Sequence, residues 1–272
     1  MIGQETLLSK IDKAIISGFP HFILLSGERG SGRKLVASHI AKELGGHISI
    51  CDVKVDEIRS MISLVNKTTD NMTIIIADAD NMSISAKNAL LKVTEEPPKN
   101  AWFIMTVEDE SAVPDTILSR ATVFKMDKYI PLELMDFAKS CADYLTPEEI
   151  EIVGSTCNTP GDVKSLIEIG VIEFWEYVNK VVDHIDSVST ANSFKIAKKI
   201  ALKQNADGYE LKLFWRTFMM VCTERMCGEL DEKVKYAEWI KITSEYIQKL
   251  RVRGANLQML FDSWVVDIRG EI

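Results

Sequence analysis

Residues 22–44 read FILLSGERGSGRKLVASHIAKEL, and this stretch decides the fold. Phe22 to Leu25 is a short apolar run ending at Gly27, the pattern of a buried strand. From about Lys34 to Leu44 the spacing turns helical, with Leu35, Val36, Ile40, Ala41 and Leu44 expected on the apolar side. Between them lies Gly27-Glu28-Arg29-Gly30-Ser31-Gly32-Arg33-Lys34. A glycine-rich turn between strand and helix is the setting of the phosphate loop, G-x-x-x-x-G-K-[ST]. There the glycines let backbone N–H groups converge on phosphate oxygens, and the helix N-terminus adds a positive dipole end.

Working outward, strands and helices alternate. His47 to Cys51 reads as a strand, Val55 to Val65 as a helix, and Thr73 to Ala77 as an isoleucine-rich strand. Ser85 to Thr94 reads as a helix, closed by Glu95-Glu96-Pro97-Pro98 because proline cannot continue it. Ala101 to Val107 and Thr122 to Met126 supply two more strands. Such alternation implies an α/β fold with a mostly parallel, doubly wound sheet.

After about Asp127 the strand signals stop. Pro131 to Ala142 is helical, and Thr146-Pro147-Glu148-Glu149 is a helix start with an N-cap, a proline at the first position and a capping-box Glu. A further short helix follows Pro160-Gly161. From Ile172 the pattern stays helical to the end, with breaks near Asp186-Ser187, Asn205-Ala206-Asp207-Gly208, Gly228 and Gly254. The expected division is an α/β module over 1–127, a helical lid over 128–170 and an all-helical domain over 171–272. Trp175, Trp215, Trp239 and Trp264 in the last part could stack on bases, but aromatics at helical spacing more often face other helices, so they are read as core.

Composition narrows the function classes. With 272 residues, 46% hydrophobic and 26% charged, the chain is a folded protein of two or three domains. No apolar run reaches the roughly 18 residues of a membrane span, and Met1-Ile2-Gly3-Gln4-Glu5 lacks a secretory n-region, so a cytoplasmic location is expected, with no membrane partner. A net charge of −8 argues against strong nucleic-acid binding by the chain alone. Cys51, Cys141, Cys157, Cys222 and Cys227 form no C-x-x-C pair, so they read as small buried residues and no metal site is expected.

The loop itself departs from the working pattern. Arg33 stands where lysine is needed, and its planar fork does not replace a compact ammonium. Lys34 stands at the Ser/Thr position, where its charge would repel Mg²⁺. Sliding the register makes Lys34 the lysine but leaves Leu35 where a hydroxyl is needed. A working site also carries, after the third strand, an Asp that organises hydrated Mg²⁺ and a Glu that polarises water. Here Ile74-Ile75-Ile76-Ala77-Asp78-Ala79-Asp80 offers either Ala77 at the Asp position with Asp78 at the Glu position, or Asp78 as the metal carboxylate with Ala79 as base. Either register loses one role. The loop is thus either a well-formed turn or a weak nucleotide site without turnover.

Several stretches resemble the AAA+ sliding-clamp-loader family, and within it the delta-prime type of bacterial DNA polymerase III. Ser85-Ala86-Lys87-Asn88-Ala89-Leu90-Leu91-Lys92-Val93-Thr94-Glu95-Glu96-Pro97-Pro98 resembles the family's stretch after the Walker B strand. Val55-Asp56-Glu57-Ile58-Arg59 resembles its helix start, and Ala255 to Asp262 the last helix of its collar. Pro114-Asp115-Thr116-Ile117-Leu118-Ser119-Arg120-Ala121 resembles its Ser-Arg-Cys motif, with Ala121 where cysteine is usual.

The resemblance implies a RecA-like AAA+ module, a helical lid and a helical collar that joins subunits into a hetero-oligomer. It implies that Arg120 reaches, as an arginine finger, to ATP held by a neighbouring subunit. The vestigial ATP site of this chain would then comprise Gly27, Gly30, Gly32, Arg33, Lys34, Asp78 and Lys164, the last standing for the arginine of a Gly-x-x-Arg lid motif in Gly161-Asp162-Val163-Lys164. Thr106 is the candidate threonine of the sensor strand, and Arg59 and Lys87 are candidate DNA contacts by position, though surface charge is the commoner role for each. The family's cysteine-rich zinc insertion is missing, since residues 45–72 hold only Cys51. The chain is also short, which suits a compact or phage-encoded version. The implied function is a non-hydrolysing clamp-loader subunit in DNA replication. Its degenerate Walker A loop requires no cofactor and binds ATP weakly at most. The partners the resemblance implies are other clamp-loader subunits, the sliding clamp and primer-template DNA. The alternatives are an active AAA+ clamp-loader ATPase and an unrelated phosphate-loop enzyme.

Overall fold

The computed structural model describes residues 2–185, 209–226, 230–250 and 256–270. The expected breaks at 186–187, 205–208, 228 and 254, and Cys227, lie outside the described residues. The chain divides into two compact units, one of residues 1–133 with 159–161 and one of residues 134–158 with 162–272.

The first unit is built on a five-stranded parallel sheet in the order β2-β3-β4-β1-β5. Its strands are β1 (Phe22–Ser26), β2 (His47–Cys51), β3 (Met72–Ile76), β4 (Ala101–Val107) and β5 (Thr122–Lys125). Helices α1 (Glu5–Gly18), α2 (Arg33–Leu44), α3 (Val55–Val65), α4 (Ile84–Glu95) and the short α5 (Asp115–Leu118) complete it. The central strands are apolar on both faces because both are covered. Ile23, Leu25, Ile75 and Ile104 face a core shared with Leu7 and Ile11 of α1 and Val36, Ala37, Ile40 and Ala41 of α2. Leu24, Ile74, Ile76, Phe103 and Met105 face the opposite core, with Ile58, Ala86, Leu90 and Ile117. Because the strands are parallel, their C-terminal ends share one edge, and β1 lies between β4 and β5. The turn after β1 therefore opens at the crevice where such sheets bind ligands.

One expected core position is corrected. Leu35 is 64% exposed, while Arg33 is 5% exposed. At 3.6 residues per turn, the stripe through Val36, Ala37, Ile40 and Ala41 runs back to position 33 and passes 35 by. The phase of α2 thus turns the loop's arginine inward.

The second unit is helical throughout its described residues. It contains most of α6 (Pro131–Cys141), then α7 (Pro147–Thr156), α8 (Pro160–Ile169), α9 (Val171–His184), α10 (Tyr209–Arg225), α11 (Leu230–Lys249) and α12 (Leu257–Arg269). Helix α10 packs against α7, α9 and α11. Its Phe214, Trp215 and Phe218 meet Trp239, Tyr246, Phe261 and Trp264 in one aromatic cluster. Trp215, Trp239 and Trp264 are buried and Trp175 half-buried, so three of the four tryptophans are core. The indole of Trp264 donates to Thr243 Oγ1 at 3.0 Å, satisfying its polar atom inside the core.

The start of α7 forms the expected capping box. Thr146 Oγ1 accepts from Glu149 N at 3.3 Å, and Glu149 Oε2 accepts from Thr146 N at 2.8 Å. Thr146→Ala should lower stability by about 1 kcal/mol. A urea titration followed by circular dichroism checks it, and an unmoved midpoint would mean that the cap is idle in solution.

No described helix is long and apolar enough to cross a membrane. Cys51, Cys157 and Cys222 are buried and Cys141 is exposed, so the expectation of buried cysteines fails at Cys141. Desolvation, reinforced by nearby carboxylates, pushes the Cys51 thiol up to about 11 and the Cys157 thiol up to about 12. Burial alone pushes Cys222 to about 12, partly offset by neighbouring cations. These buried thiols stay protonated and unreactive near neutral pH.

Candidate functional site

The turn between β1 and α2 is shaped by its glycines. Gly30 and Gly32 have φ of 83° and 92°, a region that residues with a Cβ rarely adopt. A Cβ on Gly27 would come within 2.5 Å of the Met126 side chain. Gly27 N donates to Val107 O at 3.1 Å, joining the turn to the end of β4. Tyr129 Oη donates to Ser31 O at 2.7 Å, and Gly161 N, within the same unit, donates to Gly30 O at 3.1 Å. The loop is thus a fixed glycine turn between β1 and α2.

Its charges are committed elsewhere. Lys34 Nζ lies 2.6 Å from Asp78 Oδ2, and Arg33 Nη2 lies 3.4 Å from Asp78 Oδ1 and 3.8 Å from Glu108 Oε1. Asp78 reaches back because its backbone is left-handed, with φ 52°, a conformation that aspartate tolerates better than most residues. Its N–H donates to the buried Thr106 Oγ1 at 3.0 Å, which fixes the turn. Thr106 therefore positions Asp78 from the neighbouring strand. Two carboxylates and two cations balance one another within the loop and the strand ends facing it.

This arrangement does not fit Mg²⁺. The carboxylate nearest the metal-organising position holds an ammonium and a guanidinium, and no hydroxyl replaces Lys34. It fits an anion better. Ser31 Oγ and Arg33 Nη1 are buried without a hydrogen-bond partner among the described residues, and both belong to the loop. Orphaned buried donors cost about 1–3 kcal/mol each, so a phosphate oxygen there would be stabilised.

Gly27, Gly30, Gly32, Arg33, Lys34 and Asp78 are thus brought together. Lys164 lies in the second unit, exposed, with its ammonium 5.8 Å from the Phe137 ring centroid. Arg120 sits just past α5 and makes none of the loop contacts. Its Nη1 donates to Thr116 O at 2.5 Å and its Nη2 to Glu95 Oε1 at 2.9 Å. Lys87, a candidate DNA contact, spends its ammonium on Ala112 O at 2.5 Å. Arg59 remains a surface charge, 3.9 Å from Asp56 Oδ1.

Reading the sequence missed Glu108, Tyr129, Ser31 and Gln4. The buried Gln4 side chain donates to Asp127 O at 2.9 Å and accepts from Asp127 N at 3.0 Å, so the residues before α1 hold the strand end that leads to Tyr129. For Glu108 a signal existed. It directly follows β4, and residues after parallel strands converge on one edge. For Tyr129 and Gln4 there was none, because each acts across more than 90 residues.

The profile of the family described as "DNA polymerase III, delta subunit" matches residues 46–129. DNA polymerase III subunit tau of Bacillus subtilis is 24% identical, over 91% of this chain and 54% of the relative. Replication factor C small subunit 1 of Pyrobaculum islandicum is 25% identical, over 67% of this chain and 60% of its own length. The chain spans about half the length of the first curated relatives it matches. A DNA polymerase III gamma subunit-related protein of Thermotoga maritima superposes with a TM-score of 0.55 at 15% identity, over 97% of this chain and 99% of that one. A RuvB variant from the same organism gives 0.52 at 16% identity, over 80% and 76%. These structural likenesses establish the fold.

Proposed function

We propose, starting from a chain that belongs to the AAA+ clamp-loader family, that it is a non-hydrolysing subunit of a hetero-oligomeric clamp loader in DNA replication. It stands beside an ATP-hydrolysing subunit and lends Arg120 to that neighbour's nucleotide. The complex places the sliding clamp on primer-template DNA. The observation that carries this reading is the contrast between two guanidinium groups. Arg33 is sealed inside the loop against Asp78 and Glu108, whereas Arg120 lies at the surface, 35% exposed. A group at the rim can reach a nucleotide held by a neighbouring subunit; one enclosed in its own loop can meet only a ligand of that loop.

The two buried orphan atoms of the loop favour weak nucleotide binding without turnover as a property of the same protein. ATP is then an occasional ligand and not a required cofactor.

The isolated chain tests this reading. With Mg-ATP it should show no steady-state hydrolysis, and its affinity for ADP should be weak and unchanged by Mg²⁺. Asp78→Asn removes the internal counter-ion of Lys34 and Arg33 and should tighten ADP by roughly an order of magnitude. Calorimetry measures both. Rapid turnover by the isolated chain would overturn the reading in favour of an active motor.

A further inference from the structure

We infer that Glu95 is the positioning residue of Arg120, holding its guanidinium in the orientation in which it meets a phosphate of the neighbouring subunit. The inference rests on the proposed trans role of Arg120 and adds the device that aims it.

The supports on both sides are fixed. Glu95 ends α4, where Leu90, Val93 and Thr94 are buried and Glu96 N closes the helix on Lys92 O at 3.2 Å. Helix α5 packs against α4 and is anchored by Ile117, which is fully buried. Ser119 N donates to Asp115 O at 2.9 Å and Arg120 N to Ile117 O at 3.1 Å, so the backbone carrying Arg120 is locked. What remains free is the long side chain. Three acceptors restrict that freedom: Thr116 O and, more loosely at 3.5 Å, Ser119 Oγ take Nη1, and Glu95 Oε1 takes Nη2 at 2.9 Å. A guanidinium has five N–H donors in a rigid plane. The bonds to Thr116 and Glu95, one from each Nη, fix the plane, and donors remain for an outside acceptor. An exposed ion pair of this kind adds little stability. Its value lies in restricting the rotamers of a long side chain before it engages, so that less freedom is lost at that moment.

The test uses the clamp-loader complex reconstituted with its ATP-hydrolysing subunit. Arg120→Ala, Glu95→Ala and Glu95→Gln are compared by steady-state kinetics. Glu95→Ala should lower kcat by about tenfold, the rate equivalent of the lost pre-orientation, with KM for ATP unchanged. Glu95→Gln keeps an acceptor at the same reach and should recover most of that loss, a rescue that a purely electrostatic role would not give. In the isolated chain, the separate Nη resonances of Arg120 that signal hindered rotation should merge in Glu95→Ala. Glu95→Ala turning over as fast as the native complex, or faster, while Arg120→Ala is inactive, would overturn the positioning role and leave the trans role standing. No loss with Arg120→Ala would overturn both.

Discussion

Replacing Arg120 with alanine in the assembled complex should lower ATP turnover at the neighbouring subunit by about three orders of magnitude, with little change in KM. The size follows from what a guanidinium does beside a transferring phosphoryl group: it stabilises charge that grows in the transition state, an effect worth about 10³–10⁵ in kcat where such fingers have been removed. Arg120→Lys should recover only a small part, since an ammonium offers a point charge without the planar fork. Unfolding does not explain such a loss. Arg120 is 35% exposed and its partner Glu95 54% exposed, and exposed pairs of this kind contribute under about 1 kcal/mol. The variant should therefore purify, assemble and melt like the native chain. Unchanged turnover in an intact complex would remove the trans role.

The fold was legible because its strands are short apolar runs punctuated by glycine and proline. The run at Ile74-Ile75-Ile76 is a central strand, and Pro97-Pro98 stops α4 where expected. The capping box at Thr146 was legible to the residue because all its partners lie within one turn of helix. The site was legible only in part. That Arg33 and Lys34 depart from the phosphate-loop pattern follows from residue identity alone. Where their charges go does not, because it depends on a left-handed turn at Asp78 that is set by Thr106, 28 residues away. Leu35 was misplaced although the phase of the helix was readable. The eye follows hydrophobicity, whereas the stripe of α2 continues geometrically into Arg33. Lys87 likewise reads as a surface cation until α4 is set beside the segment carrying Ala112, whose carbonyl accepts a hydrogen bond from it.

Removing Arg216 should destabilise the second unit by about 3–5 kcal/mol. Asp162, 2% exposed, accepts from Arg216 Nη1 at 3.1 Å and from Asn158 N at 2.9 Å through the same oxygen. The pair ties the start of α8 to the middle of α10, the helix that carries Phe214, Trp215 and Phe218 into the aromatic core. Arg216→Met keeps the apolar stem but leaves a buried carboxylate without its cation, and that uncompensated charge is the source of the cost. Arg216→Met with Asp162→Asn should recover much of the loss. The amide oxygen can still accept from Asn158 N, and no charge remains to be buried. Four of the five tryptophans lie in this unit, so fluorescence in a urea titration reports its unfolding, and the single variant should lower the midpoint by roughly 1–2 M. Equal midpoints for the single and double variants would show that packing, not charge, sets the cost. The same pair gives a second sense to Gly161-Asp162-Val163-Lys164. Lys164, expected from the resemblance to stand for an ATP-sensing arginine, is exposed, while Asp162, two places before it, is buried and ion-paired. Lys164→Ala should therefore leave the midpoint where it was.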